Sequence, residues 1–305
     1  MNKILPKILV ILGPTASGKT SLALKLAKKY YGEIVSTDSR QVYKKMRIGT
    51  DKPEGEWIDG LYVVDGIPHH MMDIYEPDVS FTMADFKKEA VKCIKDILKR
   101  GNLPILAGGT GMYIEAIVNN LDIAIGEPDA KLRSELTSKS LEELQKELKE
   151  KDPKSFELID IQNPHRVIRA LEVVSQTGKS FMEQKTKSDP LFDALQIGIK
   201  SDREVMYKKI NKRVDEMIDG GLVKEVEELV ENGLSYGSQS MSGIGYKQIG
   251  FYLIGDISLE ESVELLKRDT RRYAKRQTTW FKRDDKIKWI EKIDEAEELV
   301  DEFLK

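Results

Sequence analysis

In the stretch Lys7-Ile-Leu-Val-Ile-Leu-Gly-Pro-Thr-Ala-Ser-Gly-Lys-Thr20, an unbroken apolar run leads into a turn bracketed by glycines. A short apolar run of this kind reads as a strand buried on both faces. Residues 13–20 fit the P-loop pattern Gly-x-x-x-x-Gly-Lys-Thr, and the segment from Lys19 to Tyr30 supplies the helix that must follow. The turn lets backbone N–H groups face an anion, and the helix N-terminus adds its positive end. Gly13, Pro14, Thr15, Ala16, Ser17, Gly18, Lys19 and Thr20 are therefore the candidate cradle for a di- or triphosphate. Lys19 is placed to reach the terminal phosphate, and the Thr20 hydroxyl is the candidate ligand of Mg²⁺. The motif is silent on the chemistry that follows.

Working outward, Glu33–Ser36 and Pro104–Ala107 read as further buried strands, with an amphipathic helix from Phe81 to Arg100 between them. Strand–helix alternation of this kind predicts an α/β fold, a P-loop three-layer core with a parallel sheet. Cys93 falls on the apolar face of that helix and reads as a packing residue. From Asp122 to Pro190 strand signals fade, so residues 122–190 are expected to form a helical insertion, with hinges at 122–128 and 186–190. One more strand is expected over Ala194–Lys200. Helices then run to the end, notably Asp202–Asn232 and Leu259–Phe281.

Two places beside the cradle carry chemistry. Asp38, in Ser36-Thr-Asp-Ser-Arg-Gln-Val-Tyr43, follows a strand end, where ligand crevices of such sheets lie. A carboxylate there can hold Mg²⁺ indirectly or take a proton from a substrate, although a lone Asp-Ser is ordinarily a turn or helix cap. Gly108-Gly-Thr-Gly-Met-Tyr113 offers close backbone approach and the Thr110 hydroxyl, with a tight strand-to-helix turn as the competing explanation.

Composition narrows the field. A net charge of −3 over 305 residues does not suggest a nucleic-acid binder as a whole, so a basic surface must be local. A single cysteine excludes internal disulfides and fits a reducing, cytoplasmic setting. The N-terminal apolar run is too short for a signal core or a membrane span. A local basic surface is found between Leu259 and Phe281. Lys267, Arg268, Arg271, Arg272, Lys275 and Arg276 gather on one half of that helix, opposite Leu266, Thr270, Tyr273 and Gln277, with Asp269 expected to point away. Trp280-Phe281 extends the run with aromatics, and phosphate-backbone binding is favoured over a merely solvated face. Two patterns read as decoys. Thr186-Lys-Ser-Asp189 imitates a guanine-reading motif without a preceding strand, and His69-His70 suggests loop packing more than a metal site.

Taken together, these stretches resemble the tRNA dimethylallyltransferases, also called isopentenyl-tRNA transferases, over nearly the whole chain. Pro-His-His-Met-Met-Asp-Ile at 68–74, Asn-Pro-His-Arg-Val-Ile-Arg-Ala-Leu-Glu at 163–172, Gly-Tyr-Lys-Gln at 245–248 and Lys-Arg-Gln-Thr-Thr-Trp at 275–280 join the motifs above in the family's order. The resemblance implies transfer of a dimethylallyl group from dimethylallyl diphosphate to N6 of the adenosine 3′ to the anticodon, with Mg²⁺ neutralising the leaving diphosphate. It implies that Asp38 accepts the amino proton, that Thr110 belongs to the catalytic set, and that Arg213 joins residues 13–20 on the diphosphate. The target base must leave its stack. For the tRNA anticodon stem-loop the family's contacts map onto Asp38, Ser39, Arg40 and Gln41, onto Thr110 and Arg133, and onto Gln162, Asn163, Pro164, His165 and Arg166. The 122–190 insertion corresponds to the family's tRNA-gripping part. The segment Met241-Ser-Gly-Ile-Gly-Tyr246 departs from the arginine many relatives carry there, and the lone cysteine excludes the zinc finger of eukaryotic members, so the bacterial type is expected, as a monomer without membrane association. An adenylate dimethylallyltransferase, a small-molecule kinase and a guanine-nucleotide switch protein are the competing classes; a nucleotide acceptor needs neither the basic helix nor the insertion.

Overall fold

The computed structural model describes residues 4–123, 129–183 and 187–305. Among these, the chain divides into two compact units, residues 1–118 with 191–305 and residues 119–190.

The first unit is built on one sheet. Its strands are β1 (Lys7–Leu12), β2 (Gly32–Ser36), β3 (Glu56–Ile58), β4 (Leu61–Val64), β5 (Ile67–His70), β6 (Leu103–Gly108), β7 (Asp193–Ile199) and β8 (Lys288–Ile290), in the order β3-β4-β5-β2-β6-β1-β7-β8. From β5 to β8 neighbours run parallel, while β4 pairs antiparallel with both β3 and β5. Alternation along β1 shows why the strand reads as continuously apolar. Ile8, Val10 and Leu12 join one core and Leu9 and Ile11 the other, because successive side chains point to opposite faces. Helices α1 (Lys19–Lys29) and α12 (Ile293–Leu304) cover the Leu9 face. The other face carries α2 (Met83–Lys99), α3 (Gly111–Val118), α9 (Leu222–Glu231), α10 (Tyr246–Leu253) and α11 (Leu259–Phe281). The unit thus has three layers with a mostly parallel central sheet.

Several expectations need correction. The Phe81–Arg100 helix begins at Met83, because Thr82 caps it in a reciprocal pair with Asp85. The long Asp202–Asn232 helix is two, α8 (Arg203–Asp219) and α9, broken at Gly220-Gly221. The hairpin strands β3 and β4 and the strand β5 were not expected, and His69 and His70 lie on β5 rather than in a loop. Nor is the chain after β7 wholly helical, since β8 pairs with β7. Cys93 is half-buried against the core, and burial pushes its thiol up to about 11, which suits packing.

The second unit contains α4 (Ala130–Thr137), α5 (Leu141–Lys151), α6 (Pro153–Leu158) and α7 (Pro164–Thr177), packed around Leu136, Leu144, Leu148, Val167 and Leu171. Side-chain caps start each helix: Asp129, Ser140, Asp152 and Asn163 all accept backbone N–H bonds. Of the two expected hinges, residues 124–128 and 186 lie outside the described residues. So does Thr186 of the guanine-motif imitation; its neighbours Lys187 and Ser188 meet Leu121 and Asp122.

Candidate active site

Between β1 and α1 the chain makes the turn the sequence predicts. Gly18 precedes α1 at φ 90°, a left-handed conformation that costs glycine little, and no side chain caps the helix. The first N–H groups of α1 therefore have no partner within the helix and are open to an anion. Ala16 also lies at φ 63°, unusual for a residue with a Cβ. Lys19 Nζ donates to the Pro14 carbonyl at 3.3 Å. Burial in the crevice lowers its pKa, opposed chiefly by the charge of Asp38. Thr20 is exposed.

The cradle opens into a small cavity lined by Lys19, Thr20, Asp38, Gln41, Asp51 and His69 among others. A second, more open space shares Thr15, Asp38, Thr50 and Asp51 with the first, so the two adjoin along one channel-like crevice. Its far part is walled by Ile210, Val214, Met217, Ile244 and Leu266 and carries Arg40, Arg213, Tyr273 and Arg276. Asp38 thus stands where a polar phosphate end meets an apolar stretch.

Local bonding explains how Asp38 is held. Its Oδ1 accepts the Arg40 N–H at 2.8 Å and its own N–H donates to Ser36 Oγ, an Asx turn at the end of β2. Thr110 Oγ1 accepts the Ser39 N–H at 3.3 Å, fastening the start of α3 to the same loop. Tyr273 of α11 completes this group. Burial raises its phenol to about 12, with Asp38 pushing the same way and the Thr110 hydroxyl opposing, so it stands as a neutral donor. The sequence placed Tyr273 opposite the cations but gave it no part in the site.

Gln277 is a second residue the sequence did not reveal. Its side chain is buried, accepts the Thr15 N–H at 2.9 Å and donates to the Gly109 carbonyl at 2.9 Å. The glycine-rich turn after β6 is explained by this approach: a Cβ on Gly109 would meet Gln277 Nε2 at 2.1 Å. The stretch 108–113 is accordingly a packing turn, and Thr110 is its member that faces the Asp38 loop.

Ser39 and Gln41 lie beside Asp38, and Gln41 binds Ser36 Oγ and the Thr50 carbonyl. Arg40 is docked, donating to the Gln239 carbonyl at 2.8 Å and Ser242 Oγ at 3.0 Å. Arg213 reaches the channel from α8 and pairs with Asp51 at 2.5 Å. The cationic face of α11 is smaller than the sequence suggests. Lys267 pairs with Asp215, Arg271 donates to Asn211, and Arg268 and Arg272 both lie by Asp269, which does not point away. Among the described residues Lys275, Arg276, Lys282 and Arg283 enter no ion pair; Arg276 lies over Tyr273 and Arg283 over Trp280.

The remaining candidates belong to the second unit. Asn163 caps α7, accepting from the N–H groups of His165 and Arg166, with Pro164 at the first helical position. Gln162, His165 and Arg166 are exposed there. Arg133 lies 3.6 Å from Glu172.

Fold and channel together define a P-loop transferase. The model of the IPP transferase family matches residues 41–284, and that of isopentenyl transferases matches residues 6–64. A tRNA dimethylallyltransferase of Acetivibrio thermocellus is 49% identical over 302 residues, covering 96% of this chain and 95% of its own. The crystal structure of the tRNA isopentenylpyrophosphate transferase of Bacillus halodurans superposes with a TM-score of 0.71 at 38% identity, over 99% of this chain and 96% of that one. A eukaryotic dimethylallyltransferase acting on tRNA reaches 0.74 at 30% identity, over 90% and 69%. The chain belongs to the tRNA dimethylallyltransferase (IPP transferase) family. Among the described residues no helix is long and apolar enough to cross a membrane.

Proposed function

We propose that this chain transfers a dimethylallyl group from dimethylallyl diphosphate to N6 of the adenosine that follows the tRNA anticodon, through the channel described above. The residue roles follow from chemistry. The bond from C1 of the allyl group to the diphosphate oxygen breaks, its electron pair leaves with diphosphate, and the adenine nitrogen bonds to C1. The cradle of residues 13–20, with Lys19 and Arg213, holds the leaving group. The apolar stretch lined by Ile210, Val214 and Met217 suits the allyl tail. Asp38 takes the proton that N6 must lose, and Tyr273 and Thr110 orient the acceptor or the Asp38 loop.

Mg²⁺ fits this site. Thr20 offers a hydroxyl beside the cradle. His69 donates from Nδ1 to the Ile67 carbonyl, burial disfavours its charged form, and its buried Nε2 is an acceptor left without a partner beside the cavity. Bound there, Mg²⁺ would offset the charge of the departing diphosphate. The cations left unpaired on α11, together with Ser39, Arg40 and Gln41, suit the anticodon backbone. The second unit, with Arg133 and residues 162–166, is the candidate for a further tRNA grip. A monomer in the cytoplasm completes the proposal.

The observation that carries the reading is the continuity of the phosphate cradle with Asp38 and an arginine-bearing channel. Its test is Lys19→Ala. The folded variant should lose dimethylallyl transfer to tRNA and bind the donor poorly; a rate and donor affinity near wild type would remove the cradle from the reaction.

A further inference from the structure

Asp51 is absent from the roles assigned above, yet it lies where the two halves of the channel meet. Its loop is tied down. The Glu225 carboxylate accepts the N–H groups of Arg47, Ile48 and Gly49 at 2.8–3.1 Å, and the Tyr246 hydroxyl donates to the same group at 2.6 Å. The Asp51 N–H donates to the Ile48 carbonyl, and its backbone sits at φ 50°. The backbone of Asp51 is thus held at the channel wall, and its half-exposed carboxylate lines the channel and pairs with Arg213.

Its charged neighbours are Lys19, Asp38 and Arg213, with Glu216 further along α8 paired to Lys212. Lys19 and Arg213 are balanced by Asp38 and Asp51. A carboxylate beside a diphosphate cradle opposes the ligand unless a cation arrives with it. His69, whose buried Nε2 has no hydrogen-bond partner, also lines this cavity. No three acidic, histidine or cysteine side chains among the described residues gather closely enough to ligate a metal directly. Contact through water suits Mg²⁺, which keeps several of its waters.

We infer that Asp51 makes the cradle selective for diphosphate as its Mg²⁺ complex over the free anion. Without ligand the carboxylate holds Arg213. With the complex bound, Arg213 turns to the phosphate and Asp51 faces the cation's water shell. The inference rests on the placement of diphosphate proposed above.

Titration calorimetry with inorganic diphosphate, with and without Mg²⁺, tests it on the full chain. Asp51→Asn keeps the shape and tolerates the left-handed backbone. It should bind metal-free diphosphate about tenfold more tightly than wild type, and the enhancement that Mg²⁺ brings should shrink by at least that factor. Asp51→Gly, also suited to the backbone, should show the same pattern. Unchanged or weaker metal-free binding, or an undiminished Mg²⁺ enhancement, would overturn the role of Asp51 alone. A wild-type chain that binds no diphosphate even with Mg²⁺ would overturn the cradle as well.

Discussion

Asp38 and Glu33 lie five residues apart on and just beyond β2 and do opposite things with a carboxylate. Asp38 faces the channel with one oxygen fixed by the Arg40 N–H, which leaves the other for a proton. Asp38→Ala should lower transfer by about 10²–10⁴-fold, the span of a general base, with donor binding retained; single-turnover rates at saturating tRNA check it. Glu33 is buried, and burial pushes its pKa up. Hydrogen bonds from Arg100, Asn102 and His70 overcome that and hold it at about 2. A depressed folded-state pKa means stability that is present above the ordinary glutamate range and is lost as pH falls through about 2. Glu33→Gln should cost roughly 1–3 kcal/mol at neutral pH, and its denaturation midpoint should lose less than wild type between pH 5 and pH 2. Of the residues that line or support the channel, the cradle and Asp38 were legible because each sits in a local motif. Tyr273, Gln277 and Asp51 were not, because their roles arise from contacts across the fold: Gln277 meets Thr15 from 262 positions away.

Among the elements, β1, β2, β6 and β7 were legible as apolar runs, α2 and α11 as periodic ones, and α1 as the helix that must follow a P-loop. The β3–β5 region was missed although it carries a signal. Asp59-Gly60 and Asp65-Gly66 both take positive φ at each residue, the turn that joins two antiparallel strands through Asp-Gly. The β3 strand that precedes them is exposed and short, so apolar run length did not reveal it. The cations of α11 show the converse limit. Helical spacing gathers them on one half, but spacing says nothing of Asp215 or Asn211 on α8, which engage Lys267 and Arg271. The unpaired group at the C-terminal end of the helix should therefore dominate phosphate contact. Replacing Lys275, Arg276 and Lys282 by glutamine should flatten the salt dependence of tRNA affinity by about two to three units of log–log slope. Replacing Arg268 and Arg272 should change it little. Equal slopes for both triple and double variants would return the whole face to solvated charge.

At the scale of the molecule, the three-layer unit carries the whole channel, and the 119–190 unit has a core of its own. A small acceptor such as AMP would need only the first. An anticodon loop needs a cationic surface for its backbone and a hold on an extruded base; the unpaired end of α11 is the candidate for the first, and Gln162–Arg166 at the start of α7 is a candidate for further tRNA contact. The central claim is that the acceptor is tRNA. Its most direct measurement incubates labelled dimethylallyl diphosphate and Mg²⁺ with an unmodified anticodon stem-loop bearing adenosine after the anticodon, beside the same loop with guanosine there, and beside AMP, ADP and ATP. Label should enter the adenosine stem-loop alone, since guanosine lacks the N6 amino group and the free nucleotides lack the RNA backbone that the cationic surface holds. Efficient labelling of AMP with none of the stem-loop would contradict the account.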